Sequence, residues 1–411
     1  MLLAGNDSVN AKESMTAMPL DFRNKLRIAI FSGNYNYVMD GPVRALNKLV
    51  KYLEHQGHEV LVFAPTSSKP AFQHAGTLVS IPSASFPGKR SEYRFGFGLW
   101  GQAKKQLDAF APTLIHIAAP DLTGYQALRY GEKNAIPVVA SFHTRFDTYP
   151  RYYNMTWAEQ YLTRYMRNFY NRCVQVYAPS QSMRDELLSE GIGRDIRIWS
   201  RGVDSTLFNP DKRDFSWRRG AGILDDDVAV TFVGRLVLEK GIDLFASAFQ
   251  KAHKQNPSLK ALIVGDGPER THFEQLLPDG VFTGLLDGDD LAKAYASGDI
   301  FFNPSVTETF GNVTLEAMAS GLPVIGAAAT GSKSLIENAN TGYVAEPTAD
   351  SFADTLQDLV RNPDSRRTFG ENARAKAEQY SWDTILEELT EHYYEAVGRD
   401  AVPVTNQAFA S

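Results

Sequence analysis

The chain has 411 residues, a length that favours two domains, and its 43% hydrophobic content excludes a wholly disordered chain. A net charge of −6, from 42 basic and 48 acidic residues, gives no support to nucleic-acid binding through bulk charge. The single cysteine, Cys173, excludes an intramolecular disulfide and fits a reducing compartment.

Residues 1 to about 24 are polar and mixed in charge, with Lys12 and Glu13 breaking any apolar run. This stretch reads as a disordered leader, not a signal peptide. No apolar run approaches the roughly 20 residues needed to span a bilayer. The expectation is a cytoplasmic protein, soluble or peripheral on a membrane.

From Leu26 onward, short β-type runs alternate with helical patterns. Strands are expected at Leu26–Ser32, Val60–Phe63, Leu114–Ile117, Val138–Phe142 and Val174–Ala178, with an amphipathic helix over Val43–Gln56. This alternation means βαβ units and a parallel sheet. Asp40-Gly41-Pro42 precedes the first helix. Pro42 suits the first helical position and Asp40 or Gly41 can cap it. The tripeptide also follows the first strand, where such a sheet faces its ligand cleft. Ser141-Phe142-His143-Thr144 ends a later strand. His143 is either structural or a cleft residue that donates to a substrate oxygen. Asp121 is a weaker candidate on the same edge. Cys173, among Tyr170, Val174 and Val176, reads as a buried structural thiol.

Two stretches interleave basic and aromatic residues. Phe86 to Trp100 sets Lys89, Arg90 and Arg94 among Phe86, Tyr93, Phe95, Phe97 and Trp100. Asn154 to Arg172 carries Trp157, Tyr161, Leu162, Tyr165, Met166 and Phe169 at helical spacing, with Arg164, Arg167 and Arg172 beside them. Such surfaces suit an anionic membrane interface; alternatively, the aromatics face the core and the arginines face solvent.

A break at Arg201-Gly202-Val203-Asp204 and Phe208-Asn209-Pro210, then a polar stretch from Asp211 to Asp227, leads into a second domain. The expected boundaries are a first Rossmann-like domain over 25–205, a second over 206–381, a final helix over 382–400 that can pack back on the first domain, and a tail over 401–411. Second-domain strands are expected at Val228–Val233, Leu259–Val264, Val281–Thr283, Ile300–Asn303 and Pro323–Ile325. Gly234-Arg235-Leu236-Val237-Leu238-Glu239-Lys240-Gly241 follows the first of these. Arg235 and Lys240 are therefore solvated loop cations or a grip on a diphosphate, Arg through paired N–H groups and Lys as a point charge. Val264-Gly265-Asp266-Gly267-Pro268 is a strand-to-helix turn or a backbone contact to a nucleotide; Arg270 stands where a dinucleotide fingerprint needs its third glycine. Asp287-Gly288-Asp289-Asp290 contains a D-x-D pattern that a turn and an acidic helix start explain more simply than a metal–diphosphate site.

The most informative segment is Glu308-Thr309-Phe310-Gly311-Asn312-Val313-Thr314-Leu315-Glu316. It sets one carboxylate in a loop, Gly311-Asn312 at a helix start, and a second carboxylate one turn in. The loop acid can accept from sugar hydroxyls, the helix start suits a diphosphate, and the second acid can accept from a ribose. That layout fits a sugar nucleotide. A glycosidase also uses paired carboxyls, but leaves the helix start and the cations unexplained. A sugar-nucleotide epimerase and a non-catalytic sensor are further alternatives.

Together these segments resemble the retaining glycosyltransferases of family 4, which have the GT-B fold: α/β, with two tandem Rossmann-like domains and a cleft between them. The resemblance covers nearly the whole chain after about Lys25. It is densest from Glu308 through Glu316 and on to Val324, and Gly234–Gly241, Val264–Pro268 and Arg201–Asp204 match as well. It implies that Glu308 holds donor-sugar hydroxyls and that Phe310, Gly311, Asn312 and Val313 set backbone amides at the diphosphate. It further implies that Glu316 binds the ribose, that Arg235 and Lys240 neutralise the departing nucleoside diphosphate, and that His143 lies near the reacting centre. Gly41, on the phosphate side, and Gly265 and Gly267 complete the expected donor-binding set. A UDP- or GDP-sugar is the expected co-substrate, with no metal and no other cofactor. Arg201 stands where the family commonly has asparagine. Tyr37–Gly41, Gly57–Val60 and Ser141–Thr144 look most like glycolipid-forming members, among them sulfoquinovosyl-diacylglycerol synthases and GDP-mannose-dependent lipid mannosyltransferases. The expected acceptor is then a membrane lipid of diacylglycerol or ceramide type, with a polysaccharide or small soluble acceptor as the alternative.

Overall fold

A computed structural model of the chain describes residues 25–38, 40–85, 93–143, 145, 157 and 159–398. The expected leader, the tail, Thr144, the 86–92 part of the first basic-aromatic stretch and residues 154–156 and 158 of the second lie outside these residues.

The first half contains strands β1 (Arg27–Phe31), β2 (Glu59–Pro65), β3 (Thr77–Ile81), β4 (Ser83–Ser85), β5 (Arg94–Gly96), β6 (Leu114–Ile117), β7 (Val138–Ser141), β8 (Gln175–Ala178) and β9 (Ile196–Ile198). Its helices are α1 (Gly41–His55), α2 (Gly101–Phe110), α3 (Leu122–Lys133), α4 (Glu159–Tyr170) and α5 (Gln181–Ser189). All but β4 and β5 form one parallel sheet in the order β3-β2-β1-β6-β7-β8-β9; β4 and β5 pair as a small antiparallel ribbon. The expected strands are all present to within about two residues, as is the first helix. β3, β4, β5 and β9 were not expected: the last three have three residues each, too short to show a period.

The period-2 geometry of a strand sends alternate side chains to opposite faces, and here both faces are buried. Ala29 and Phe31 join Phe63, Ile115 and Ile117 in one core. Ile28 and Ile30 join Val60, Val62 and Leu114 in the other. Cys173 is buried in the first of these cores, and burial pushes its thiol up to about 12, so it is an inert structural thiol.

The second half repeats the plan. Strands β10 (Val228–Val233), β11 (Leu259–Val264), β12 (Val281–Gly284), β13 (Ile300–Asn303), β14 (Val324–Ala327) and β15 (Gly342–Ala345) form a parallel sheet in the order β12-β11-β10-β13-β14-β15. Helices α6 (Phe215–Gly220), α7 (Ile242–His253), α8 (Arg270–Leu276), α9 (Gly288–Ala296), α10 (Asn312–Ala319), α11 (Thr330–Leu335), α12 (Ala349–Arg361) and α13 (Pro363–Ala377) cover it. Asp289, from the D-x-D pattern, lies in the first turn of α9 and is held by Lys212 at 2.6 Å, while Asp287 is the residue before that helix.

The last helix, α14 (Trp382–Ala396), returns to the first sheet, where Ile385, Leu386, Leu389 and Tyr393 join the core with β1 and β6. The chain thus crosses between the halves twice, and the crossings touch: Val203 N–H donates to Tyr380 O at 2.9 Å. The halves also meet through α5 and α11, where Ser182 Oγ donates to Thr330 O at 2.6 Å.

Candidate active site

The C-terminal strand ends of the two sheets face each other, and the sequence-expected residues gather there. Gly311 has φ +97°, a left-handed conformation that favours glycine, and it turns the loop after β13 into α10. Among the described residues no side chain caps α10, so its first N–H groups, at Asn312 and Val313, are available to an anion. Phe310 is buried against Tyr380, with ring centroids 6.1 Å apart, and anchors the loop. Gly331 N–H donates to Glu308 O at 3.0 Å, and Ser305 Oγ and Thr307 Oγ1 donate to Glu239 O, each at 3.3 Å. The acid loop is therefore tied both to α11 and to the loop after β10.

That second tie delivers Lys240. Gly241, in a left-handed conformation at φ +75°, ends a short 3₁₀ turn over Leu238–Lys240, and Lys240 Nζ forms an ion pair with Glu308 Oε1. Both partners are largely shielded, which makes the pair stronger than a surface one. Arg235, on the same loop, has an exposed side chain.

Glu316 sits one turn into α10 and accepts from Tyr295 OH at 3.0 Å. Its carboxyl lies deep among protein atoms, although the residue as a whole keeps some surface. Burial pushes its pKa up to about 7, opposed by the positive charge of Arg44 and by the Tyr295 hydrogen bond. Arg44 belongs to the other half, one turn into α1. Gly41 opens that helix, and a Cβ built on it would lie 2.9 Å from Asn312 Nδ2. The N-terminal ends of α1 and α10 thus meet across the cleft. Asp40 caps α1, accepting from Val43 N–H at 2.9 Å.

His143 follows β7 and touches the acid loop through its backbone: Thr309 Oγ1 donates to His143 O at 3.1 Å. Its Nδ1 lies 2.8 Å from Arg201 Nη2, and its Nε2 is buried without a partner among the described residues. Burial, with Arg201 and His116 nearby, holds the imidazole well below its ordinary pKa. Asp121 caps α3, accepting from Gly124 N–H at 2.7 Å, which accounts for it without a ligand.

Gly265 and Gly267 have a local explanation as well. A Cβ on Gly265 would lie 1.9 Å from Gly234 O, and one on Gly267 2.3 Å from Leu236 O. The loops after β10 and β11 pack backbone to backbone, with Leu236 N–H donating to Asp266 O at 3.0 Å. These glycines are needed for that packing whether or not they also meet a nucleotide.

The sequence reading missed Arg44, Tyr295 and the bond between Arg201 and His143. Arg44 had a signal: it lies one turn into a helix whose start was already a cleft candidate. Tyr295 and the Arg201–His143 pair had none, because only the tertiary fold joins positions so far apart in sequence.

Tandem parallel sheets that face one cleft with their C-terminal strand ends are the GT-B architecture. Residues 214–376 match the profile of the glycosyl transferases group 1 and residues 39–207 that of glycosyltransferase family 4, and the chain belongs to this family. It is 34% identical over 380 residues to a GDP-mannose-dependent alpha-mannosyltransferase of Mycolicibacterium smegmatis, covering 91% of this chain and 98% of that one. It is 30% identical to the sulfoquinovosyl transferase SQD2 of Arabidopsis thaliana, over 90% of this chain and 74% of that protein. The crystal structure of Anabaena HepE with UDP and glucose shares the fold, with a TM-score of 0.72 and 22% identity over 90% of this chain and 100% of that one.

Proposed function

We propose that this enzyme moves a hexose from a nucleoside diphosphate sugar to a hydroxyl of a membrane lipid, with retention of the anomeric configuration. The observation that carries this reading is the start of α10, uncapped among the described residues, set between the Lys240–Glu308 pair and the Glu316 carboxyl that accepts from Tyr295. In this reading the α10 amides, Lys240 and Arg235 take the charge that develops as the sugar–phosphate bond breaks. Glu308 exchanges its lysine partner for hydroxyls of the sugar. Glu316 exchanges Tyr295 for, or shares it with, the ribose. The acceptor oxygen bonds the anomeric carbon on the face the diphosphate leaves, and its proton passes to the departing phosphate oxygen. No protein nucleophile and no metal is needed in that sequence. Residues of both halves line the cleft, so closure also excludes water that would hydrolyse the donor.

The lipid acceptor rests on the names of the relatives and on surface chemistry. The relatives include an alpha-monoglucosyldiacylglycerol synthase of Acholeplasma laidlawii, 24% identical over 91% of this chain. Phe95, Phe97, Trp100, Leu122, Trp157 and Tyr161 are all exposed. They gather near the start of α3: a Cβ on Gly96 would lie 2.9 Å from Thr123 Oγ1, and Tyr165 OH donates to Pro120 O at 2.8 Å. Exposed aromatics beside Arg164 suit a lipid interface. The expectation for α4 holds only in part, because Met166 and Phe169 turn inward to the core and Glu132 engages Arg172. Among the described residues no helix is long and apolar enough to cross a membrane.

A screen of UDP-, GDP- and ADP-sugars against vesicles holding diacylglycerol or ceramide tests this directly. Mass spectrometry identifies the product, and the anomeric coupling in NMR reports its configuration. An inverted product, or conversion of the nucleotide sugar without an acceptor, overturns the reading. So does a Glu308→Ala variant that transfers at the wild-type rate.

A further inference from the structure

We propose that Arg201 is a positioning residue: it holds the His143 imidazole in the tautomer whose proton sits on Nε2, so that Nε2–H is the donor offered to the bound sugar nucleotide. The role in transfer rests on the reading above; the tautomer rests on geometry alone.

Arg201 Nη2 lies 2.8 Å from His143 Nδ1. A guanidinium only donates, so Nδ1 accepts, and a neutral ring with an accepting Nδ1 carries its proton on Nε2. That Nε2–H is buried and unpartnered among the described residues. A buried donor without an acceptor is costly, and an oxygen of a ligand entering the cleft would satisfy it.

Arg201 is itself firmly held. It is buried; Nη1 donates to Trp199 O at 2.7 Å and to Ser200 O at 3.0 Å, and the guanidinium stacks 4.8 Å from the Trp199 ring centroid. Trp199 in turn meets the His143 ring edge-on at 5.5 Å. Burial lowers the Arg201 pKa only to about 10, so the guanidinium stays charged near neutral pH. The ionisable groups acting on His143 are Arg201 and His116, and both, together with burial, oppose protonation. A planar fork fixed on two carbonyls is suited to dictate a neighbouring tautomer, as outer partners do for metal-ligating imidazoles.

The test uses the full chain labelled with ¹⁵N-histidine, with the His143 signals assigned through a His143→Gln variant. Two-bond ¹H–¹⁵N spectra between pH 5.5 and 8.5 are expected to show His143 as the Nε2–H form throughout. Arg201→Met should produce a mixture of tautomers or a titrating ring and lower kcat roughly 10–100-fold, the usual cost of losing such an outer partner. Arg201→Gln keeps a neutral N–H donor and should restore both the tautomer and most of kcat. A wild-type ring protonated on Nδ1, a ring that titrates in this range, or an Arg201→Met protein with unchanged spectra or unchanged kcat overturns the proposal. If Arg201→Met does not fold, the wild-type and Arg201→Gln spectra decide. If the wild type transfers no sugar at all, the functional reading fails while the spectra still decide the tautomer.

Discussion

Burial of the Glu316 carboxyl beside Tyr295 raises its pKa from 4.5 to about 7, and linkage gives the sign of the consequence. Between these values the folded protein binds the proton more tightly than the unfolded chain, so the contribution of this residue to stability falls as pH rises from about 4.5 to 7. Glu316→Gln should therefore stabilise the ligand-free protein at pH 8 by about 1–3 kcal/mol, with the gain vanishing near pH 4.5. Thermal unfolding at pH 5 and pH 8 measures it. The same variant should bind a nucleoside diphosphate sugar more weakly in titration calorimetry, because an amide accepts fewer ribose hydrogen bonds than a carboxylate. The site gives up stability for a charge that a ligand can use.

At the scale of elements, much of the site was legible because one segment holds it. The acid loop, the glycine that opens α10 and the second acid follow one another within nine positions, and local rules for helix starts suffice to read them. Most strands of four or more apolar or alternating residues were legible, but β3 and β15, where Ser80 and Gly342 break the pattern, were not, and β4, β5 and β9 are shorter than one period test requires. Gly265 and Gly267 show the limit of such reading. Glycine announces a close approach but not what approaches, and here it is the neighbouring loop. Gly265→Ala should consequently destabilise the ligand-free protein by about 2 kcal/mol or more, combining a φ of +135° with a backbone clash. A denaturant midpoint unchanged by this variant would show that the loops do not need the glycine.

For the whole molecule, α14 locks the first sheet through buried polar contacts. His116 is fully buried, hydrogen-bonded to Tyr393 OH and to Ser141 Oγ, each at 2.5 Å. Burial pushes it down to about 3, and His58, which faces Tyr394, down to about 4. Both are neutral in the folded protein, so stability should fall as pH drops from about 6.5 towards 4, while the unfolded chain gains protons. Tyr393→Phe should cost about 1–3 kcal/mol by leaving His116 Nδ1 unsatisfied, measurable by urea unfolding at pH 7. The exposed aromatics at the start of α3, with exposed Arg164 beside them, predict binding to anionic vesicles at low salt, with the arginine's share weakened at high salt, in a flotation assay. Failure to float at low salt would remove the surface argument for a lipid acceptor.

The adjacency of the two crossings sets how the halves can move. Two crossings placed far apart would confine one lobe to rotation about the line joining them; two side by side act as one joint, so contacts such as that of Ser182 on Thr330 are left to fix the angle between the lobes. Gly202 lies at that joint, where a Cβ would lie within 2.8 Å of the Trp382 backbone. Even the methyl of Gly202→Ala would act as a doorstop, altering the angle at which the lobes come to rest without touching any residue that meets the donor.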